Sequence, residues 1–402
     1  MKSIFSLLLL LLLAFSGYHL TFRRWKLPVF ARHFYLTGTE FLFLGIFLGE
    51  GFTGILDSPT LDQLAPVEAL VLGLIGLFFG MQLDNRKLAR LAPGLRLSSY
   101  LTGLVSFCAV AAGGALVLPF ILPSAAPLSQ GVVLGACACC SSQVGLALAR
   151  RQALSRQSSL VNLLRTVSSL DGVISLLCYG ALFFLPGAIT AGSKIAWPGL
   201  LSLAGALAGL LLLFLLLIRT GLSYSELTAV FLGVTVFLSG ISLLSGFSPL
   251  VASFFLGLLL GNTGAHKERL FRLLAPVEKP LYLVLLVLLG ARFSPGSWAV
   301  LAAAAACFSL RFAGKLSAGA LVHFLFPSLR GATPALGLGL IGQGSLGLAL
   351  LLDFAAGFPG DAAMQTVSVA LVMVLLNELA APEALAFLFR DKPELHTGED
   401  AR

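Results

Sequence analysis

The sequence predicts an all-α, polytopic membrane protein of about thirteen transmembrane helices. Three observations predict it. The chain is 58% hydrophobic and only 11% charged, with a mean hydropathy of +0.97, unlike a water-soluble globule. Apolar runs follow one another through the chain, each near the roughly 20 residues that cross a hydrocarbon core. The short loops between them alternate in charge, as loops on opposite sides of a membrane do.

The first run, "MKSIFSLLLLLLLAFSG", has Lys2, an apolar core and small residues at Ala14–Gly17. A cleaved signal peptide reads this way, and so does an uncleaved first helix; the latter is the preferred reading, over about 3–20. Further spans are expected at about 31–49, 64–82, 97–122, 129–149, 160–185, 196–218, 226–243, 248–262, 276–291, 297–322, 333–352 and 362–389. Loops after odd-numbered spans hold Arg23, Arg24 and Lys26; Arg86, Lys87, Arg90 and Arg96; Arg150, Arg151 and Arg156; Arg219; Lys267, Arg269 and Arg272; Arg330; and Arg390 and Lys392. Loops after even-numbered spans hold Glu50, Asp57, Asp62 and Asp361, with Lys194 and Arg292 the basic exceptions. The positive-inside rule then sets the N-terminus outside and the C-terminus in the cytoplasm. One transmembrane domain over 1–390 and a short cytoplasmic tail over 391–402 are expected. The net charge of +8 fits loops facing anionic lipid, and no nucleic-acid partner is expected. All six cysteines fall in apolar runs, which argues against a disulfide framework.

Weak internal symmetry runs through the chain. "LAPVE" occurs at 64–68 and at 274–278, each time with a glycine twelve residues after the glutamate, Gly80 and Gly290. "SQVGLAL" at 142–148 resembles "GSLGLAL" at 344–350, so the offsets are 210 and 202. Seven expected spans separate the members of each pair, an odd number, so the copies cross in opposite directions. That is an inverted-topology repeat, with halves at about 64–218 and 274–390.

Asp171 lies roughly 16 Å along the sixth span, near the middle of a roughly 30 Å core. A charge there costs at least about 2.5–3.5 kcal/mol, so function is the default reading and a structural ion pair the alternative. Ser168 and Ser175, at i−3 and i+4, share its helix face and offer hydroxyl oxygens to a small hard cation. The eleventh span brings Arg311 to the same depth, with Lys315 one turn further in. Arg311 is the expected charge partner and Lys315 the fallback. The centres of spans five and twelve read "CACCSSQVG" and "GLGLIGQGSLG". Either these are broken helices, facing N-terminal dipole ends and free carbonyls to a site that includes Ser141, Ser142, Gln343 and Ser345, or they are small-residue packing surfaces. The cysteines of "CACC" read as packing residues, since no acid or histidine in that span completes a metal site; no cofactor is expected. Glu378, in the span that answers the sixth in the repeat, and Glu40, outside the repeat core, are second-tier acids.

These residues resemble the cation:proton antiporter superfamily, in its bacterial Kef-type and sodium:proton exchanger branch. The resemblance runs through "LSSYLTGLV", "GACACCSSQVGLALARRQ", "SSLDGV", "SPLVASFFLGLLLGN", "LLAPVEKPLYLVLLVLLGARFSPG", "RFAG" and "IGQGSLGLAL". It implies the sodium:proton antiporter fold, in which two crossed broken helices sit in a core that moves against a dimerisation domain. It implies a homodimer in the cell (inner) membrane, exchanging Na⁺ or K⁺ for H⁺. Asp171 matches the family's ion-binding aspartate and Arg311 its basic partner. Two positions depart from the pattern: Leu170 stands where Asp, Asn or Gln is usual, and Gln343-Gly344-Ser345 replaces Gln-Gly-Glu. No nucleotide-binding domain of the Kef kind is expected in this chain. With Arg311 unable to release a proton, one-for-one electroneutral exchange is expected. A sodium-coupled organic-solute symporter would need a second cation site, and a sensor or scaffold would need no transport. An intramembrane aspartyl protease would need paired aspartates, and Asp353 lies far in depth from Asp171.

Overall fold

The computed structural model describes residues 2–21, 38–122, 127–142, 158–184, 197–219, 223–263, 267–294, 298–327, 329, 333–358 and 360–390. The expected tail over 391–402 lies outside them. Fifteen α-helices and one 3₁₀ helix account for most of these residues. Among the described residues, seven helices are long and apolar enough to cross a membrane, and six shorter apolar helices fall one to each of the remaining expected spans. The chain is a multi-pass membrane protein.

The first helices are α1 (Lys2–Thr21), α2 (Thr39–Leu48), α3 (Ser58–Gln63) and α4 (Ala65–Gln82). Asp57 caps α3 by accepting from the Thr60 N–H at 3.1 Å, and Lys2 reaches the same carboxylate at 2.5 Å. This ties the start of α1 to the loop before α3. Next come α5 (Asn85–Arg90), the long α6 (Pro93–Ile121), α7 (Pro127–Cys139) and α8 (Ser158–Leu182). The middle of the chain forms α9 (Trp197–Arg219), α10 (Tyr224–Leu244), α11 (Pro249–Asn262) and α12 (Lys267–Ala291). Sequence-coded caps start two of these. Ser223 and Glu226 form a capping box on α10, and Ser248 accepts from the Val251 N–H on α11. The chain ends in α13 (Trp298–Leu325), a 3₁₀ helix (Pro334–Leu340), α14 (Ser345–Gly357) and α15 (Asp361–Arg390).

Packing follows small residues, as it must where lipid supplies no hydrophobic drive between helices. Helices α4 and α11 approach until a Cβ on Gly80 or Gly257 would collide with the Phe254 or Leu77 carbonyl. Helices α12 and α2 meet the same way, Gly290 against the Leu42 carbonyl and Gly45 against that of Val287. Gly80 and Gly290, the glycines that follow the two "LAPVE" copies, are thus used alike. Each seats a long helix on the backbone of a shorter partner.

Spans five and twelve are interrupted. Helix α7 stops at Cys139, and the 3₁₀ helix stops at Leu340 before α14 begins at Ser345. The two extended stretches cross, with Ser141 and Gln343 forming an isolated antiparallel bridge and the Ser142 N–H donating to the Gly342 carbonyl at 2.8 Å. The bridged residues are 202 apart, the offset of the second sequence repeat. Residues 143–157, which include the second half of span five, lie outside the described residues.

Candidate ion-binding site at the helix crossing

Ending α7 and the 3₁₀ helix in mid-span leaves carbonyls that no turn of helix satisfies, each a carrier of partial negative charge. Arg311 answers them. Its guanidinium donates to the carbonyls of Ala138 (2.8 Å) and Cys140 (3.1 Å) on one stretch, and of Ile341, Leu340 and Gly342 on the other. A sixth bond, at 2.8 Å, goes to the Asn377 side-chain oxygen on α15. Arg311 is fully buried, and no acid touches it among the described residues.

The expected pairing of Arg311 with Asp171 is therefore corrected. Lys315, one turn along α13, holds the aspartate: its ammonium lies 3.3 Å from Asp171 Oδ2. It also donates to the Cys139 carbonyl at 2.7 Å and to the Ser141 hydroxyl at 2.8 Å. The physical reason is competition for donors. Both cations share a face of α13, but five carbonyls of the two broken stretches and the Asn377 side chain take up the guanidinium, leaving Lys315 to reach the carboxylate.

Asp171 and Lys315 are both buried, 1% and 0% exposed, yet Asp171 lines a cavity of about 420 Å³. Ser168, Ser141, Ser142, Gln343, Ser345 and Glu378 line it too, facing Leu74, Phe78 and Tyr282 of α4 and α12 across the space. Its mouth lies at exposed Gln82, Glu278 and Lys279. The structure thus brings most of the sequence-derived residues to one space. Ser168 lines it while donating to the Arg165 carbonyl of its own helix. Ser175 does not line it: its hydroxyl donates to the Ala136 carbonyl at 2.5 Å, pinning α8 to α7. Glu378 accepts from the Gln343 N–H at 2.8 Å, which ties α15 to the break itself. Glu40 is half-buried, with neither carboxyl oxygen hydrogen-bonded, and it is not among the residues lining the cavity.

The helix ends at the crossing divide between the cations and the cavity. The C-terminal ends of α7 and the 3₁₀ helix meet at the two basic residues, while the N-terminus of α14, at Ser345, opens on the cavity. The second half of span five lies outside the described residues. The cysteines serve as links: Cys139 donates to the carbonyls of Asp171 (3.1 Å) and Gly103 (3.3 Å), and Cys137 receives the Gln343 amide.

Asn377 was not singled out from sequence. Besides receiving Arg311 it donates to Gln343 Oε1 at 3.2 Å. Its signal was present in "LLNELAAPE", where an amide beside a glutamate interrupts an apolar span.

The fold that carries these residues has a solved counterpart. The sodium proton antiporter MjNhaP1 from Methanocaldococcus jannaschii, whose structure was determined at pH 8, superposes with a TM-score of 0.64 over 97% of this chain and 100% of that one, at 18% identity. The chain has the sodium/proton antiporter fold. No family model matches the sequence, and no curated protein matches it.

Proposed function

We propose that the chain is a secondary monovalent cation:proton antiporter in which Na⁺ or K⁺ and H⁺ compete for Asp171 by alternating access. The observation that carries this reading is the Asp171–Lys315 pair at the closed end of a cavity whose mouth lies at one face. A carboxylate beside serine hydroxyls and helix-end carbonyls offers the hard oxygen donors that an alkali cation needs. The ammonium occupies the place such a cation would take.

In the state described, the site is an ion pair with no net charge. A cation entering along the cavity displaces the ammonium from Asp171. Lysine, unlike arginine, releases its proton when its counter-charge is withdrawn in a dry site. The site then holds carboxylate, cation and neutral amine, again with no net charge. One proton leaves for one cation bound, and the carrier is neutral in both loaded forms. One-for-one, electroneutral exchange follows, with Lys315 rather than Asp171 alone carrying the proton. The basic loop residues Arg86 and Lys267 flank the elements at the cavity mouth, so the positive-inside rule favours a cytoplasmic opening. The likeness to the antiporter superfamily favours a homodimer.

The test is proton flux in sealed liposomes carrying the purified protein, after addition of Na⁺, K⁺ or Li⁺. A cation-dependent pH change that Asp171→Asn abolishes is expected. No flux with any of the three cations overturns the reading. Imposing a membrane potential should leave the reversal point unchanged, and a shift would mean that Asp171 carries a second proton.

A further inference from the structure

The cavity reaches Asp171 from one side and stops there: Ser168, Asp171 and Gly172 of α8 line it. Polar residues nevertheless continue along the same face of α8 toward the other side. Asp171, Ser175 and Tyr179 are spaced i, i+4 and i+8, which carries the stripe about 12 Å along the helix. It ends on a second acid. The Tyr179 hydroxyl donates to Asp353 Oδ2 of α14 at 2.6 Å, and both residues are buried, 0% and 3% exposed. The other carboxyl oxygen, Oδ1, makes no hydrogen bond, while Ser248 and the Leu250 N–H at the start of α11 face the carboxyl group. Among the described residues no lysine or arginine pairs with Asp353, and Tyr179 is the titratable group that faces it. Arg292 touches α14 at the Ala355 carbonyl but is held by Glu68 at 2.7 Å. Beyond the pair, Phe183 lies edge-on to Tyr179 and packs against Phe247 and Phe358, closing the stripe off from the surface.

An acid buried without a counter-charge in a membrane protein is costly, and a cap for α11 needs no carboxylate because Ser248 already caps it. We propose that Asp353, positioned by Tyr179, is a second proton-binding station, lying between Asp171 and the face opposite the cavity mouth. A proton arriving from that face binds Asp353. The Tyr179 hydroxyl accepts that proton and releases its own toward the Asp171–Lys315 pair, so it is unchanged by the passage, while the Ser175 hydroxyl stays on the Ala136 carbonyl. The aromatic lid of Phe183, Phe247 and Phe358 must part for the proton to enter.

This inference rests on the antiport reading. The experiment measures cation-driven exchange in sealed membrane vesicles of both orientations, with the pH set separately on each face. Asp353→Asn should slow exchange about tenfold or more when protons are supplied opposite the cavity mouth, the factor one hydrogen bond to a charged group represents. The rate should lose its dependence on the pH of that face and keep its dependence on the other. Tyr179→Phe, which keeps the ring packing, should shift the same profile and serves if the asparagine variant does not fold; Asp353→Glu should restore it. Wild-type exchange with both pH dependences intact in Asp353→Asn and Tyr179→Phe overturns the station alone. An inactive wild type overturns the antiport reading, and the station falls with it.

Discussion

Two successive turns of α13 carry the two buried cations of the molecule's centre, and their surroundings divide their work. The turn at Arg311 meets only neutral acceptors, five carbonyls and one side-chain amide. The turn at Lys315 meets a carbonyl, a hydroxyl and a carboxylate. Guanidinium is a rigid fork of five donors that stays charged, suited to holding two broken helices together. Ammonium is a point charge on a flexible stem, which another cation can displace. A cation set against helix-end carbonyls is a brace, and one set against a carboxylate is exchangeable.

The sharpest way to break this comparison is to remove the brace. Arg311→Ala should leave the carbonyl ends of both stretches and Asn377 unsatisfied in the bilayer interior. A loss of about 3–5 kcal/mol is expected, on the scale of a broken buried network. Thermal unfolding in detergent should show it as a large fall in Tm, with exchange lost as a consequence. Arg311→Lys should recover little, because an ammonium cannot span both stretches. A stable but inactive Arg311→Ala protein would mean that Arg311 belongs to the ion site after all.

Much of this arrangement was legible in the sequence. Hydropathy and loop charge located the spans, and the glycine- and serine-rich centres marked where two of them break. The cost of burying a charge singled out Asp171. The division of labour between Arg311 and Lys315 was not legible. Both lie on one helix face, and periodicity reports the face without reporting which carbonyls arrive opposite it. Ser175 failed for a related reason. The i+4 spacing put it on the face of Asp171, but the Ala136 carbonyl of α7 takes its hydroxyl. Asn377 went unread because an amide carries no formal charge, and its importance appears only once Arg311 and Gln343 stand on either side of it.

On the Lys315 side, Asp171→Asn should abolish exchange. The stability cost should be about 1–2 kcal/mol, since Lys315 keeps its carbonyl and hydroxyl partners. Normal cation-driven flux in this variant would remove Asp171 from the mechanism. Lys315→Gln is milder. The amide can still bond the Cys139 carbonyl, so the protein should fold. A cation would no longer have to displace an ammonium, so its apparent affinity should rise. Turnover should fall about tenfold or more, because the proton carrier is gone, one unit of proton affinity being a factor of ten. A rise in apparent Km for the cation would argue that Lys315 helps to bind it.

The smallest expected effect tests whether the exchange site extends beyond the ion pair. The Ser141 hydroxyl accepts from Lys315 at 2.8 Å beside Asp171, and Ser141 is also the residue bridged to Gln343 at the crossing. Its backbone makes the crossing, so Ser141→Ala keeps the fold and deletes only the hydroxyl. Lys315 retains the Cys139 carbonyl and Asp171, so Tm should hardly move. If the hydroxyl becomes a ligand when a cation replaces the ammonium, apparent cation affinity should drop about fivefold, the roughly 1 kcal/mol of one hydrogen-bond-sized contact. Titrating initial flux against Na⁺ and K⁺ for both proteins measures this directly. A loss of affinity with unchanged Tm would assign Ser141 to the exchangeable side of the comparison. A fall in Tm with unchanged affinity would assign it to the brace, with Arg311, Asn377 and Glu378.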